Sequence, residues 1–305
     1  MLLTFLVSVM GNSLLIYVIT KHRSMGTSTN CLIRNLAICD LLIAVIQTLL
    51  FVKHLHNGVT WLGGTVGIVI CKVTTYGASM LLSCSALNFI AIAADQYLAI
   101  TRPLTYKLSS RWVVRLGIPV IWLISALSCI DMLFAANIYD DRTPQCFKAE
   151  RSTHDYLTAS SIIGLLIILI VLYSIICYRL WRRNIPGEVS ENQQALAIRT
   201  ARKVTVLMIS IVIVFFVSWT PAFVISLSYL FDTKSAIYVS IYKKYPFLFA
   251  ISCWAILNSS ACNPCLYFIF IESFRQSLKT ACSGFYPPPL RRWRIRRGRH
   301  FKTEE

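Results

Sequence analysis

Seven long apolar runs divide this chain, and they constrain its fold more than any other feature of the sequence. Each run holds about 20 residues or more, enough for a helix to cross a hydrocarbon core about 30 Å thick. Only helices and closed barrels satisfy their backbone groups in lipid, and these runs lack the apolar/polar alternation of barrel strands. The predicted spans are residues 1–20, 31–54, 68–100, 112–135, 155–183, 195–231 and 245–270. The expected fold is therefore an all-α membrane protein, a seven-transmembrane helix bundle.

Composition agrees with a lipid environment. Hydrophobic residues make up 56% of the chain and charged residues only 14%, whereas about a quarter of the residues in a soluble domain are charged. The longest loops hold about 20 residues or fewer, so one bundle accounts for the chain. We expect one domain over residues 1–283, which ends in a short amphipathic helix at 272–283, and a basic cytoplasmic tail at 284–305.

The net charge of +17 would by itself favour nucleic-acid binding. With the C-terminus taken as cytosolic, however, 22 of the 30 Lys and Arg residues lie on the inner side. This distribution follows the positive-inside rule and predicts a multi-pass plasma-membrane protein with an extracellular N-terminus. The arginine-rich stretch 291–297 is more typical of a tail on anionic lipid than of a nucleic-acid arm. The expected partner is the bilayer and not a nucleic acid.

The N-terminus lacks the features of a secretory leader. Eleven residues precede Asn12, without the basic start and small-residue cleavage site of a signal peptide. We expect that the N-terminus is truncated; insertion of a short first span is the alternative.

Eleven cysteines are present, and most of them lie within spans. Cys71 and Cys146 are the two in outer-loop positions, where the redox environment permits a bridge. A disulfide between them is favoured over two free thiols. Cys282 follows the last span on an amphipathic stretch, so it is either a palmitoylation site or a spectator thiol.

Several polar residues occupy spans where lipid makes them costly. Asp40 lies within the second span, Ser85 at a matching depth in the third, and Ser260 and Asn263 in the seventh. Their oxygens suit a small hard cation, so a sodium ion is the only cofactor we expect. An internal hydrogen-bond network that joins the helices explains the same residues equally well.

Two prolines interrupt predicted helices. Pro221 follows Trp219 in the sixth span, and Pro264 follows Asn263 in the seventh. Each removes a backbone hydrogen bond and kinks its helix. Because Trp219 lies one turn from Phe215, the pattern favours a hinge over prolines that only shape the bundle.

In their order and spacing, these and other residues resemble those of rhodopsin-like (class A) G-protein-coupled receptors over almost the whole chain. The residues that carry the resemblance are Gly11-Asn12, Leu36-Ala37 with Asp40, Trp61-Leu62-Gly63, Cys71, Asp95-Gln96-Tyr97, Trp122, Cys146, Tyr173, Trp219-Thr220-Pro221, Asn263-Pro264 to Tyr267, and Phe274-Arg275. The resemblance implies a ligand that moves span six outward, after which the inner cavity accepts the tail of a Gα subunit.

The resemblance also assigns roles to residues. Those of the implied sodium pocket are Asp40, Ser85, Ser260 and Asn263. Those of the implied activation switch are Phe215, Trp219, Pro221, Asn263, Pro264, Tyr267 and Tyr173. Asp95, Gln96 and Tyr97 would form the G-protein interface, and arrestin is a further expected partner.

The ligand is expected to be a peptide. Amine receptors of this family carry an Asp where this chain has Ala78, and the stretch from Tyr173 to 187 is similar to that of receptors for tachykinin-like and RFamide-like neuropeptides. Acidic residues near Cys146 would attract a basic peptide, although the loop is equally typical of an ordinary solvated one. The predicted pocket residues are Thr75, Ala78, Ser79, Leu82, Phe223 and Ser226.

The sequence departs from the family at Gln96, where an Arg is usual. Gln has no charge and a shorter reach, and Ala201 offers no acid for an ionic latch on span six. Leu165 and Ala86 also change the packing expected around Phe215. We expect weaker or biased G-protein coupling, or a receptor-fold binding or scaffold protein that couples poorly.

Other function classes are disfavoured. In a transporter we would expect inverted repeats or paired acidic residues along the transport pathway, and the sequence has neither. An intramembrane enzyme would need a metal-binding or paired-Asp motif, which is also missing from the sequence. The chain is therefore not expected to be an enzyme.

Overall fold

The computed structural model of the chain describes residues 1–22, 25–57, 60–139, 145–148, 153–182, 191–231, 246–272 and 274–276. These residues form eight helices and one antiparallel two-stranded hairpin. The elements are α1 (Leu2–Lys21), α2 (Ser28–Asn57), α3 (Gly64–Thr101), α4 (Pro103–Ser128), α5 (Asp131–Ala135), β1 (Ala136–Tyr139), β2 (Gln145–Lys148), α6 (Thr153–Arg182), α7 (Glu191–Phe231) and α8 (Pro246–Phe270).

Five of the described helices are long and apolar enough to cross a membrane, namely α1, α2, α3, α6 and α7. A shorter apolar helix, Val113–Ser128, lies within α4. The seventh span, α8, has 25 residues, but Asn258, Ser259 and Asn263 reduce its hydropathy. Aliphatic side chains such as Val113, Ile124 and Ile170 are exposed on the outside of the bundle, as expected of a surface in contact with lipid.

The observed bounds agree with the predicted spans except around the fourth. That span was predicted as a continuous run over 112–135, but α4 begins at Pro103 and ends at Ser128. Proline is favoured at the first position of a helix because its fixed φ suits that position and its missing N–H is not needed. After Ser128 the chain turns and forms the separate short helix α5.

The predicted amphipathic helix at 272–283 is described only in part. Residues 272 and 274–276 are helical, and Phe274 is fully buried against Tyr267, with 5.9 Å between ring centroids. The rest of that helix, Cys282 and the predicted tail at 284–305 lie outside the described residues.

Helix α3 lies at the centre of the bundle, in contact with α2, α4, α5, α6 and both strands. A second set of contacts joins α1, α2 and α8 to one another, while α7 packs between α6 and α8. The interior holds large, fully buried side chains such as Phe89, Leu36 and Tyr267. The bundle is thus built around α3, with α8 joined to α1, α2 and α7.

Helices α1 and α8 approach each other closely where α8 contains its proline. A Cβ atom added at Gly11 would lie 2.6 Å from Cγ and 2.9 Å from Cβ of Pro264. Because the proline ring is rigid, a larger residue would force the two helix backbones apart. The glycine therefore allows α1 to pack directly against the kinked part of α8.

We expect Gly11→Ala to destabilise the bundle by about 1–3 kcal/mol, the usual cost of overpacking. Thermal unfolding of the purified protein in detergent measures the change. Gly117→Ala is the matched control, because a Cβ atom at Gly117 meets nothing within 4 Å. An equal effect of the two substitutions would contradict close packing at Gly11.

Candidate functional site

A chain of buried hydrogen bonds joins α1, α2 and α8. The Asn12 amide donates to the Ser8 carbonyl at 2.9 Å and to the Ser260 carbonyl at 3.0 Å. Ser260 Oγ donates to the Asp40 carbonyl at 2.7 Å and lies 2.8 Å from Ser8 Oγ. Since the single proton of Ser260 is used on Asp40, the Ser8 hydroxyl must be the donor to Ser260.

The side chain of Asp40 is bound to α8 directly. Asn263 Nδ2 donates to Asp40 Oδ2 at 2.7 Å, and both residues are buried. Asn263 immediately precedes Pro264, so this hydrogen bond attaches α2 to α8 beside its internal proline. Such bonds stabilise helix association in membranes because lipid offers no alternative partner.

The four residues of the predicted sodium pocket are all buried. Ser85 lies beside Cys84, whose sulfur is 3.3 Å from that of Cys39, and Cys39 precedes Asp40. Asp40 and Ser85 are therefore at the same level of neighbouring helices. Ser85 Oγ and Asn263 Oδ1 have no hydrogen-bond partner in the described part of the chain. A carboxylate with spare buried oxygens nearby fits the ligand preference of a hard cation.

A second polar cluster fixes α2, α3 and α4 to one another. Asn35 Nδ2 donates to Asn88 Oδ1 at 3.0 Å, and Trp122 Nε1 donates to Asn35 Oδ1 at 2.9 Å. Asn88 in turn donates to the Cys84 carbonyl at 2.9 Å. These bonds connect α3 to both α2 and α4.

Aromatic rings surround Phe215 on α7, the centre of the predicted activation switch. The Phe89 ring of α3 meets it edge-on at 5.0 Å, and the Trp219 ring lies 5.8 Å away. Pro221 lies two residues beyond Trp219 within the same helix. Ala86 is buried one turn from Phe89. The ring of Phe89 therefore forms a direct contact between α3 and Phe215 of α7.

The two tyrosines of the predicted switch are both buried. Tyr173 is 6% exposed and Tyr267 only 1%. Neither hydroxyl has a hydrogen-bond partner among the described residues. Because an unpaired buried hydroxyl is costly, both groups favour a rearrangement that would give them a partner.

Asp95, near the end of the third span, accepts hydrogen bonds from two hydroxyl groups. Thr29 Oγ1 donates to Asp95 Oδ2 at 2.5 Å, and the Tyr106 hydroxyl donates to the same oxygen at 3.1 Å. Next to it, Gln96 is 7% exposed, and neither polar atom of its amide has a partner in the described part of the chain. Asp95 is thus fixed without the basic neighbour that the family usually supplies.

A different arginine joins the ends of α6 and α7. The Arg202 guanidinium donates to the Leu180 carbonyl at 3.2 Å from Nε and 2.8 Å from Nη2, and it lies 5.4 Å from the Trp181 ring centroid. Leu180 is in the last turn of α6, where carbonyls lack intrahelical partners. Ala201 supplies no acid for an ionic latch to α3, and Arg202 attaches α7 to α6.

The other end of the bundle is closed by a disulfide between Cys71 and Cys146, with their Cα atoms 5.6 Å apart. This confirms the pairing expected from sequence. Cys146 lies on β2, opposite Ile138 of β1, and both strands contact α3. Trp61 Nε1 donates to the Gly67 carbonyl at 2.9 Å and fixes the preceding loop to α3. We refer to this end as the disulfide end.

The predicted pocket residues on α3 lie below the hairpin. Thr75, Ala78, Ser79 and Leu82 are all partly buried, and Thr75 Oγ1 lies 3.8 Å from Cys146 Sγ. Phe223 is partly buried on α7, whereas the side chain of Ser226 lies outside the described residues. Most of the acidic loop around Cys146 is outside them too.

Comparison with known proteins identifies the family. The model of the seven-transmembrane receptors of the rhodopsin family matches residues 11–267. The chain belongs to this family. It is therefore a multi-pass receptor of the rhodopsin family and, as such, not an enzyme.

Individual relatives are receptors, and one of them is named as a receptor for peptides. The chain is 29% identical to the bovine substance-K receptor over 287 residues, or 90% of this chain and 72% of that receptor. It is 26% identical to two Drosophila melanogaster proteins, the tachykinin-like peptides receptor 86C and the RYamide receptor, and covers 56% and 63% of their lengths. The chain thus spans roughly half to three quarters of these relatives.

Several contacts of this receptor were not predicted from sequence. Ser8 was missed, although its place four residues before Asn12 puts the two on one helix face. Phe89 was missed because a single phenylalanine in an apolar span carries no signal. Thr29 and Tyr106 lie far from Asp95 in sequence, and Arg202 was counted only as one more basic residue.

We expect the double substitution Thr29→Val/Tyr106→Phe to destabilise the receptor, because it removes both donors to the buried Asp95 carboxylate. The expected loss is about 1.5–3 kcal/mol for each bond to the charged group, measured by thermal unfolding in detergent. Thr20→Val is the control, since that hydroxyl is exposed and donates only to Ile16 of its own helix. A loss no larger than the control's would show that Asp95 does not depend on these hydroxyls.

Proposed function

We propose that this chain is a plasma-membrane receptor that binds an extracellular peptide at its disulfide end and activates heterotrimeric G proteins at the opposite end. Arrestin is a further partner at that opposite end. The observation that carries the proposal is the rhodopsin-family match over residues 11–267. The peptide class follows from the tachykinin-like and RYamide receptors among its relatives.

Charge distribution supports the proposed orientation. Lys21, Arg102 and Arg179 lie at helix ends remote from the disulfide, and Arg202 lies in the half of α7 that is remote from it. Positive residues accumulate in cytoplasmic loops, and disulfides form in oxidising compartments. Both arguments support an orientation with the disulfide end outside the cell and the opposite end in the cytosol.

The proposed mechanism is a shift between two packings of the bundle. A peptide in contact with Thr75 and Phe223 would favour one packing to the extent that it binds it more tightly. Repacking of Trp219 and Phe215 against Phe89 would let α7 pivot at Pro221. The inner part of α7 would then open a cavity in which the Tyr173 and Tyr267 hydroxyls find partners.

Gln96 sets the efficiency of coupling in this proposal. An arginine at that position would reach the Gα tail with a charged, multiply donating group, whereas a neutral amide reaches less far. Arg202 is committed to the Leu180 carbonyl and Arg179 lies over the Tyr97 ring, and neither polar atom of the Gln96 amide has a partner in the described part of the chain. We therefore infer weak or biased coupling.

A second candidate function is a receptor-fold protein that binds its ligand without productive coupling. The unpaired amide of buried Gln96 favours it. The two candidates agree on ligand binding and differ only in what happens at the cytosolic end. Nucleotide exchange on purified Gα separates them.

We expect amidated tachykinin-like or RFamide-like peptides to accelerate nucleotide exchange on purified Gα in the presence of the reconstituted receptor. Gln96→Arg should increase the peptide-driven rate on the order of tenfold, since it adds a hydrogen bond to a charged group. Peptide binding without exchange in both proteins would establish the second candidate. Unchanged basal and driven rates in Gln96→Arg would refute the role given to Gln96.

We further propose that a sodium ion binds among Asp40, Ser85, Ser260 and Asn263. The support is the fit of the donor set, a buried carboxylate beside the Ser85 and Asn263 oxygens, which have no hydrogen-bond partner among the described residues. In this position the Asp40 carboxylate would balance the charge of the ion, and Ser85 and Asn263 would orient their free oxygens towards it. The ion would hold α2, α3 and α8 together in the resting packing.

Sodium chloride should therefore raise the thermal unfolding midpoint of the receptor more than choline chloride of equal ionic strength. At a tenfold excess of sodium over its Kd, the expected stabilisation is about 1.4 kcal/mol. Asp40→Asn keeps the side-chain shape but removes the charge, so it should abolish the difference between the two salts. A difference that persists in this variant would exclude Asp40 as a ligand.

A further inference from the structure

A groove of about 270 Å³ lies between the ends of α3 and α6 remote from the disulfide. It is lined by Ile100 and Thr101 of α3 and by Tyr178, Arg179 and Arg182 of α6. The two arginines supply two planar cations within one turn of helix, and the tyrosine adds a hydroxyl. Such a set of donors matches the geometry of a phosphate group.

The contacts of the two guanidinium groups in the described part of the chain are with aromatic rings. Arg179 lies 5.5 Å from the Tyr97 ring centroid, and Arg182 lies 4.9 Å from that of Tyr178. The nearby carboxylate of Asp95 accepts instead from Thr29 and Tyr106. Both positive charges are thus held in place by ring stacking and are not neutralised by an acid there.

The groove opens on the lipid-facing side of α6. Val171 and Ile175 are exposed apolar residues of that helix, 50% and 38% exposed. Tyr178 and Arg182 continue the same face, because the positions follow a spacing of four, three and four residues. Tyr173, Ile176 and Leu180, by contrast, are buried and face the bundle.

Aromatic and basic residues mark this level as the edge of the bilayer. Tyr178 is 60% and Trp181 is 52% exposed, and both kinds of residue concentrate where the hydrocarbon core meets the headgroups. A lipid whose acyl chains lie along Val171 and Ile175 would place its headgroup in the groove. An acidic segment of a cytosolic protein would gain nothing from that aliphatic stripe.

From this geometry we propose that the groove is a binding site for an anionic phospholipid with a phosphomonoester headgroup. The Arg179 and Arg182 guanidinium groups contact the phosphate, and the Tyr178 hydroxyl donates to it. The inference rests on the orientation given under the proposed function, which faces the groove towards the anionic cytosolic leaflet. Because Tyr97 stacks on Arg179, the bound lipid adjoins the end of α3 that would meet a G protein.

The test uses the full chain in phosphatidylcholine nanodiscs that contain a minor fraction of photoactivatable phosphatidylinositol 4-phosphate. Mass spectrometry of the cross-linked peptides should locate the label on α6 near Tyr178. In Arg179→Gln/Arg182→Gln the yield at subsaturating lipid should fall about 30-fold, since each basic residue near the surface contributes about a factor of five. Peptide mapping separates this signal from label on the basic residues beyond 275.

The matched control is Arg199→Gln/Lys203→Gln, which removes two positive charges from exposed positions of α7 outside the groove. Its yield at α6 should stay as in the unmodified chain. An equal fall of the cross-linking yield in both variants would show that the lipid responds to the general positive charge of the surface, and it would overturn the proposal. Absence of label on α6 would overturn it as well.

Two further measurements distinguish a bound lipid from a free phosphate compound and from a protein contact. Soluble inositol 1,4-bisphosphate that competes as well as the lipid would assign the groove to a free phosphate compound. Unchanged cross-linking in the groove variant, together with a loss of Gα nucleotide exchange, would assign the arginines to a protein contact. Either result would overturn the lipid site, whereas neither cross-linking outcome depends on whether the receptor activates a G protein.

Discussion

The hydrogen bond from Asn263 to Asp40 is the interaction on which the rest of this structure depends. It connects the kink of α8 to the middle of α2, and the Ser260, Ser8 and Asn12 bonds extend the connection to α1. Lipid provides no competing partners, so these groups are satisfied only when the helices are correctly placed. The close contact of Gly11 with Pro264 then follows from the same arrangement.

The other helices are joined to α1, α2 and α8, and to one another, by contacts of different kinds. Asn35, Asn88 and Trp122 attach α3 to α2 and α4. The contact of α7 with α3 at Phe215 is an edge-on pair of aromatic rings, and Arg202 ties the half of α7 remote from the disulfide to α6. In the described part of the chain, Arg202 thus joins α7 to α6, whereas α7 meets α3 through the aromatic pair of Phe215 and Phe89.

The sequence predicted those features that lipid or compartment imposes directly. Spans are fixed by bilayer thickness, and Cys71 and Cys146 stand apart because the other cysteines lie mostly within spans. The sequence predicts Asp40 and Asn263 as site residues, but not the hydrogen bond between them. That bond depends on the orientation of α2 and α8 about their own axes, which no local sequence pattern specifies. Tyr106 reaches Asp95 only because the helix that begins at Pro103 turns back beneath α3.

A double-mutant cycle on Asp40→Ala and Asn263→Ala measures the central interaction directly. Unfolding of the purified receptor in mixed detergent micelles gives the free energy of each single variant and of the pair. We expect a coupling energy of about 0.6 kcal/mol, the average found for hydrogen bonds between membrane helices. Additive effects of the two substitutions would contradict it, because α2 and α8 would then be held together by something other than this bond.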